Sequence, residues 1–312
     1  MKVLLTTVGS RGDVQPILAL ALELRTRGHQ ALVCAAPNFR TWVESFGISF
    51  LPLGPDVEKW TRERPEGQTT QKLPSRARLR NLAGHAVAEQ FRVLDVSRSV
   101  TTDYPWLAAD PVLAPKASPI RMQITQTGAW FLPDPNPLPD DLETFLASGE
   151  PPLYFGFGSM RAAAHTGQLL IEAARALGRR AIISQGWAQL GVIDAGADCL
   201  SIGDVNHEKL LPRVAAVVHH GGAGTTTAAA RAGRPQVVVP HLYDQHYWAR
   251  RVRALGIGVS IRTFADLTAG ALVDALRECL KPEMTALAQA VASRMELHGA
   301  RLAAERLIST FG

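Results

Sequence analysis

The strongest constraint on the fold is the alternation of short apolar runs with segments of helical spacing along this 312-residue chain. The apolar runs span residues 3–8, 31–36 and 48–53 in the first half, and 153–157, 181–184, 199–202, 215–218 and 236–239 in the second half. Runs of this length are typical of buried strands, and parallel strands joined by helices are covered on both faces. The sequence therefore predicts an α/β fold built on parallel sheets.

The length favours two domains, because a single hydrophobic core rarely serves more than about 250 residues. Hydrophobic residues make up 46% of the chain and charged residues 20%, which is typical of globular proteins. Eight prolines from Pro105 to Pro139 interrupt a stretch poor in regular structure, and we place the linker near residues 130–140. The sequence thus predicts an N-terminal Rossmann-like domain over residues 1–130 and a C-terminal one over residues 140–298.

Cysteine usage and charge argue against several functions. Cys34, Cys199 and Cys279 lie far apart with no CxxC pair, which disfavours disulfides, a zinc ribbon or a redox motif. The net charge is +5, but the arginines form no basic run with interleaved aromatic residues, so we expect no nucleic-acid partner. No apolar run reaches the roughly 18 residues of a membrane span, and Gly9 and Arg11 come too soon for a signal peptide. We expect a cytoplasmic protein without stable membrane insertion.

The segment HHGGAGT, residues 219–225, carries the clearest chemical signal, because it joins a buried strand to an Ala-rich helix. Its glycines let the backbone approach a ligand, and the helix N-terminus presents unpaired N–H groups and the positive end of the dipole. A histidine adds a side-chain donor. Because His219 and His220 would point to opposite faces of a strand, they would not bind one metal ion together. The segment therefore predicts a phosphate site in preference to a metal site.

Two common nucleotide signatures are missing from the sequence. Thr227 stands where a dinucleotide fingerprint has its third glycine, which argues against a hydride-transfer enzyme. The P-loop pattern, GxxxxGK followed by Ser or Thr, does not occur either, so an ATP-hydrolysing P-loop is excluded.

Three further loops follow predicted strands and carry polar side chains, each with two interpretations. Asp13 is either the N-cap of a helix that begins with the next residue or a catalytic carboxylate, since Pro16, at the third helical position, removes one N–H donor. Ser159 lies either in an ordinary turn or against a phosphate. Asp244 and Gln245 either cap the next helix or hydrogen-bond a ligand with several hydroxyl groups.

Six segments of the chain form an ordered set of motifs: GSRGD, GFGSM, GWAQL, GDVNHEKLLP, HHGGAGTTTAAARAG and PHLYDQHYWARRV. Together they resemble the GT-B glycosyltransferases that glycosylate glycopeptide antibiotics, macrolides and sterols. The resemblance covers residues 1–53 well and residues 125–262 almost continuously. It implies two Rossmann-like parallel-sheet domains facing a cleft, with a helix over residues 299–312 returning to the first domain.

The resemblance implies an enzyme that transfers a sugar from a dTDP- or UDP-linked donor to a hydroxyl of a natural-product, sterol or lipid-like acceptor, with inversion at the anomeric carbon. The implied site has Asp13 as catalytic base; Ser10, Arg11, Gly12, Ser159, His219, Gly222, Ala223, Gly224 and Thr225 at the diphosphate; Trp187 and Val205 at the nucleoside; and Asp244 and Gln245 at the sugar. Such a single displacement needs a base on the acceptor oxygen and a sink for the leaving charge. Because the chain has no DxD motif, we expect no metal and no other cofactor.

The N-terminal domain is shorter than the family pattern. Between Phe91 and Pro105 the sequence passes directly to a segment that lies much farther downstream in the family. The missing stretch would supply further strands and much of the acceptor pocket, so the acceptor site is either open, completed by a partner subunit or second copy, or lost. The alternative function is therefore a nucleotide-sugar-binding auxiliary or degenerate protein without transfer activity.

Overall fold

The computed structural model of the chain describes residues 1–56, 59, 105–116, 124–158, 166–186, 196–242 and 244–312. The backbone contacts divide the chain into two compact units. The first unit comprises residues 1–109, 116–132 and 296–312, and the second comprises residues 110–115 and 133–295. The predicted abridgement after Phe91 falls outside the described residues.

Three parallel strands form the sheet of the first unit. In order across the sheet they are β1 (Lys2–Thr6), β2 (Gln30–Ala35) and β3 (Ser49–Pro52). Helix α1 (Arg11–Thr26) connects β1 to β2, and α2 (Arg40–Ser45) precedes β3. A second parallel pair joins β4 (Trp106–Leu107) to β5 (Thr125–Gln126). The three strands predicted in this half are confirmed to within two residues at each end.

Six parallel strands form the sheet of the second unit. They are β6 (Leu153–Gly156), β7 (Ala181–Ser184), β8 (Cys199–Ile202), β9 (Ala216–His219), β10 (Gln236–Val238) and β11 (Gly258–Ser260). Their order across the sheet is β11-β10-β9-β6-β7-β8. The first five match predicted runs to within one residue. The sequence does not predict β11, because a strand of three residues that begins with glycine is too short to show a period.

Helices cover both faces of this second sheet. They are α3 (Asp140–Ala147), α4 (Thr166–Ala176), α5 (His207–Leu210), α6 (Ala223–Arg231), α7 (Gln245–Ala254), α8 (Ala269–Cys279) and α9 (Pro282–Ala292). On one face, Leu153 and Phe155 pack with buried residues of α4 and α8. On the other face, Tyr154 and Ile182 pack with buried residues of α3 and α5. Both faces of β6, β7 and β9 are therefore apolar, as is typical of parallel sheets, and the predicted α/β fold is confirmed.

Residues 110–115 belong to the second unit, although the chain on either side belongs to the first. The Asp110 carboxylate turns this segment by accepting the N–H groups of Val112, at 2.8 Å, and Leu113, at 3.1 Å. Arg251 of α7 donates from Nε to the Leu113 carbonyl at 2.8 Å and from a terminal nitrogen to the Val112 carbonyl at 3.3 Å. The Leu113 side chain is fully buried. The segment is thus anchored to α7.

The C-terminal helix α10 (Gly299–Phe311) is part of the first unit. Its buried Ala303 and Ala304 pack against Leu20 and Leu24 of α1. Small alanine side chains allow the two helices to approach closely, so the end of the described chain completes the core of the first unit.

Candidate functional site

The strand order of the second unit reverses between β6 and β9. The chain runs from β6 outward to β7 and β8, and then returns to place β9 on the other side of β6. The carboxyl ends of these two strands are paired in register, Gly156 opposite His219. In open parallel sheets, ligands bind beyond the carboxyl ends of the strands at this reversal point. The loops after Gly156 and His219 are therefore the centre of the candidate site.

Helix α6 begins directly beyond this point, with Gly222 as its N-cap residue. Ala223 and Gly224 are exposed, and Thr225 is half-buried. The N–H groups of a helix's first turn have no acceptor within the helix, and they carry the positive end of its dipole. The accessible start of α6 thus presents donors suited to an anion. The diphosphate roles of these residues stay predictions.

His219, the last residue of β9, is fully buried. Its Nδ1 atom accepts the N–H of Gly221 at 3.0 Å, and its Nε2 atom lies 2.9 Å from Oε1 of Gln236. Both ring nitrogens are used inside the fold. This geometry corrects the sequence-based assignment, because it leaves the His219 side chain no donor for a diphosphate.

His220, the residue after β9, lies at the start of α6. Its half-buried ring lies between Gly158 and Gly222, where added Cβ atoms would come 3.1 Å from Cε1 and 2.5 Å from Nε2. The Nδ1 atom is buried and has no hydrogen-bond partner among the residues that the structure describes. Burial lowers the pKa of His220 from 6.5 to about 4, so the ring is neutral at pH 7. Because neighbouring residues of a strand point to opposite faces, the sequence could predict different surroundings for the two histidines. It could not predict which of the two lies inside the fold.

His241, after the adjacent strand β10, is a second residue that sequence reasoning missed. Its ring lies 4.1 Å from the ring of Phe264 and 6.4 Å from that of Phe157. Its Nε2 atom is buried without a partner in the described part of the chain. Burial, with the nearby His220, lowers the pKa of His241 to about 4. Together with His219, the ends of β9 and β10 therefore carry three imidazoles that are neutral at pH 7.

Asp244 and Gln245 stand at the start of α7 and differ in exposure. The exposed Asp244 carboxylate accepts the indole N–H of Trp248 at 2.8 Å and makes no side-chain cap of the helix. The Gln245 side chain is buried, and its Oε1 atom accepts the backbone N–H groups of His241, at 2.7 Å, and Leu242, at 3.0 Å. Asp244 is thus oriented toward solvent by Trp248, whereas Gln245 shapes the loop. Their contacts with a sugar stay predictions.

The nucleoside side of the site is described in part. Val205, in the loop after β8, is half-buried and packs on the core cluster that contains Tyr154. The next residue, Asn206, is buried and fixes residues 134–136 by donating to the carbonyls of Asp134 and Asn136. Ser159 and Trp187 lie outside the described residues, so their predicted roles, like that of Val205, stay predictions.

The first loop, GSRGD, lies in the first unit and differs locally from the prediction. Ser10, not Asp13, is the N-cap of α1, and Asp13 is the third residue of the helix. The Asp13 carboxylate accepts the backbone N–H of Ser10 at 2.7 Å and its hydroxyl at 3.1 Å. Pro16 is consequently the sixth helical residue, where it removes the hydrogen bond to Gly12 rather than a capping donor.

The exposed side chain of Asp13 is held by its surroundings. Gly9 has a φ of +129°, and a Cβ atom at this position would collide with the Asp13 carboxylate. The guanidinium of Arg11 lies 4.7 Å from the centre of the Trp42 ring. The loop thus fixes a carboxylate at an accessible helix start, while the predicted diphosphate roles of Ser10, Arg11 and Gly12 stay predictions.

Acid should destabilise the protein through His219. Burial lowers its pKa from 6.5 to about 3, so the folded state keeps the ring neutral while the unfolded state gains a proton below pH 6.5. Stability from this group is complete above pH 6.5 and falls with pH, by about 2 kcal/mol at pH 5. Denaturant unfolding at pH 7.5 and pH 5 measures the loss, and His219→Asn should remove it. Equal pH dependence in both proteins would contradict the assignment.

A parallel sheet with a glycine-rich helix start at its reversal point is characteristic of nucleotide-binding α/β proteins. Residues 3–110 match the model of the glycosyltransferase family 28 N-terminal domain, and residues 195–300 match the erythromycin biosynthesis protein CIII-like C-terminal domain. The chain is 36% identical to vancomycin aglycone glucosyltransferase of Amycolatopsis orientalis, covering 99% of this chain and 97% of the relative. The chain therefore belongs to this family of antibiotic-type glycosyltransferases and is a glycosyltransferase.

Two further similarities agree with this assignment. The dTDP-epi-vancosaminyltransferase of Amycolatopsis orientalis is 36% identical, with 93% of each chain covered. The solved structure of glycosyltransferase VinC in complex with dTDP superposes with a TM-score of 0.69, at 19% identity and with 99% of each chain covered. The predicted GT-B fold class is confirmed. In the described residues, no helix has both the length and the apolar character to cross a membrane.

The alignment with the vancomycin aglycone relative also bears on chain length. It spans 401 positions, whereas this chain has 312 residues, so the relative has residues at no fewer than 89 positions where this chain has none. These positions lie within the aligned region, which covers 97% of the relative.

Proposed function

We propose that the protein transfers a sugar from a dTDP- or UDP-linked donor to a hydroxyl group of a natural-product, sterol or lipid-like acceptor. The observation that carries this proposal is the accessible start of α6 beside His220 at the sheet reversal, an arrangement suited to a diphosphate. Support for dTDP comes from the similarity to dTDP-epi-vancosaminyltransferase and from the dTDP bound to VinC. A cytoplasmic location goes with this proposal.

The reaction is a single displacement with inversion. The acceptor oxygen attacks the anomeric carbon, and the bond between this carbon and the diphosphate oxygen breaks. The proton of the acceptor hydroxyl passes to the Asp13 carboxylate. A carboxylate is a weak base toward a hydroxyl group, so proton transfer comes late, as the new bond forms. The negative charge that develops on the diphosphate is met by the first-turn N–H groups of α6 and by His220. This scheme uses no metal ion.

Asp244 has the chemistry to hold the sugar of the donor. Its carboxylate is exposed and is oriented by the Trp248 indole, so it can accept hydrogen bonds from sugar hydroxyls. The side-chain oxygen of Gln245 fixes the backbone of His241 and Leu242 beside the same loop. We therefore assign sugar contact to Asp244 and loop support to Gln245.

Calorimetric titration with dTDP and with UDP, in the presence of EDTA, tests the proposed donor site. We expect micromolar binding of one nucleotide without metal, and His220→Ala should weaken it by about 10- to 150-fold, the range for a hydrogen bond to a charged group. His298→Ala serves as a control, because His298 is exposed in the first unit. Failure of the wild-type protein to bind either nucleotide would overturn the proposal.

A nucleotide-sugar-binding protein without transfer activity is the second candidate, favoured by the 89 or more positions that this chain lacks. Incubation with a mass-tagged nucleotide sugar separates the two candidates, because a competent transfer site also passes sugar slowly to water. Release of free sugar supports the transferase. Tight nucleotide binding with no release, and no product with any acceptor offered, supports the binding protein.

A further inference from the structure

His219 and Gln236 form a buried polar pair whose hydrogen positions are fully determined. The backbone N–H of Gly221 can only donate, so Nδ1 of His219 must accept, and the ring proton must be on Nε2. That proton is donated to Oε1 of Gln236, 2.9 Å away. The Gln236 amide cannot be flipped, because its NH₂ group would then face the Nε2 proton. The pair therefore has one tautomer and one amide orientation.

Burying this polar pair lowers the stability of the fold compared with an apolar pair of similar size. Both side chains are fully buried, and Nε2 of Gln236 has no hydrogen-bond partner among the described residues. An unpaired buried amide destabilises a fold, whereas two apolar side chains of similar size would avoid the cost. Burial alone therefore does not account for His219 and Gln236. Among the described residues, the hydrogen bond from the Gly221 N–H links this side-chain pair to the loop before α6.

Gly221 is the residue at which the chain leaves β9 and turns into α6. It has a φ of +88°, and the N-cap of α6, Gly222, follows immediately. An added Cβ would lie 2.7 Å from Cγ1 of Val238 and 3.0 Å from the Gln245 carbonyl oxygen, so the turn is closely packed on both sides. Holding the Gly221 N–H thus sets the direction in which the first turn of α6 points.

We propose that His219 is a positioning residue that, with its tautomer fixed by Gln236, aims the first-turn N–H groups of α6 and His220 at the donor diphosphate. The inference rests on the proposed function and deepens it, because it assigns a role in donor binding to a residue that does not touch the ligand. A doubly protonated ring could not accept the Gly221 N–H. Because burial lowers the pKa of His219 to about 3, the ring stays neutral through the neutral pH range.

Two substitutions separate the two ring nitrogens. The side-chain oxygen of Asn lies as many bonds from Cα as Nδ1 of His does, and that of Gln as many as Nε2. His219→Asn keeps an acceptor for the Gly221 N–H, whereas His219→Gln keeps only a polar group near Gln236. We expect dTDP affinity within about 3-fold of wild type for His219→Asn and a loss of about 10-fold or more for His219→Gln. UDP replaces dTDP if it is the nucleotide that binds.

Thymidine, or uridine if UDP binds, is the matched ligand without phosphates. A fault in aiming the diphosphate donors should lower the ratio of nucleotide to nucleoside affinity in His219→Gln and leave nucleoside binding unchanged. A general loss of folding would lower both affinities and the thermal unfolding midpoint, so that result overturns the inference, as do equal nucleotide affinities in the two variants. No nucleotide binding by the wild-type protein overturns the proposed function as well.

Discussion

Asp13→Asn should lower the rate of sugar transfer by about 10² to 10⁴-fold and leave nucleotide affinity nearly unchanged. The amide oxygen of Asn can still accept the N–H and hydroxyl of Ser10, at the positions that the carboxylate now occupies. The start of α1 is therefore preserved while the basic group is lost. Single-turnover kinetics with saturating donor measure the rate, and calorimetry measures nucleotide binding.

Ser10→Ala is the matched control for this substitution. It removes the N-cap hydroxyl of α1 but keeps the carboxylate, so it should cost about 1 kcal/mol of stability and reduce the transfer rate far less than Asp13→Asn. If Asp13→Asn transfers sugar at the wild-type rate, Asp13 has no part in the proton transfer. If it instead unfolds at a much lower temperature, its role is structural.

Gly221→Ala should lower the free energy of unfolding by about 2 to 5 kcal/mol. A positive φ costs an L-residue about 1 to 2 kcal/mol, and displacing the packed neighbours costs about 1 to 3 kcal/mol more. The new methyl group would meet Val238 and the backbone of Gln245. Because the turn carries the start of α6, nucleotide binding should weaken by about 10-fold or more as well.

Gly178→Ala isolates the backbone contribution. Gly178 also has a positive φ, +62°, but an added Cβ there would meet nothing within 4 Å. It should cost only the conformational part, about 1 kcal/mol, and leave nucleotide binding intact. Denaturant unfolding and calorimetry of both variants are the measurements. Equal losses of stability would show that the close packing around Gly221 is unimportant.

Three strands of the first sheet and five strands of the second could be predicted because each coincides with a short apolar run in the sequence. The start of α1 could not be placed by the aspartate alone. Ser10 and Asp13 have the spacing of a capping box, and this pattern indicates that the helix begins at Arg11. The strand β11 was not predicted, because its three residues show no strand pattern of their own and form a strand only by pairing with β10.

The chemistry at the reversal point was only partly predictable. The glycines and the helix start of HHGGAGT follow from local rules, but the division of labour between His219 and His220 depends on Gln236, which lies 17 residues along the chain on another strand. His241 likewise becomes part of the site only because β10 lies beside β9. Partners brought together by the sheet therefore decide that both ring nitrogens of His219 are used inside the fold.

The anchoring of residues 110–115 by Arg251 has a practical consequence for recombining this enzyme with its relatives. A chimaera joined at residue 132 would take residues 133–295 of the second unit from this chain but residues 110–115 from the other parent. Arg251 would then contact a segment from a different protein. Leu113 would then be replaced in a fully buried position by whatever residue the other parent supplies. If one parent instead supplies residues 1–109, 116–132 and 296–312 and the other supplies residues 110–115 and 133–295, Leu113 and Arg251 come from the same parent.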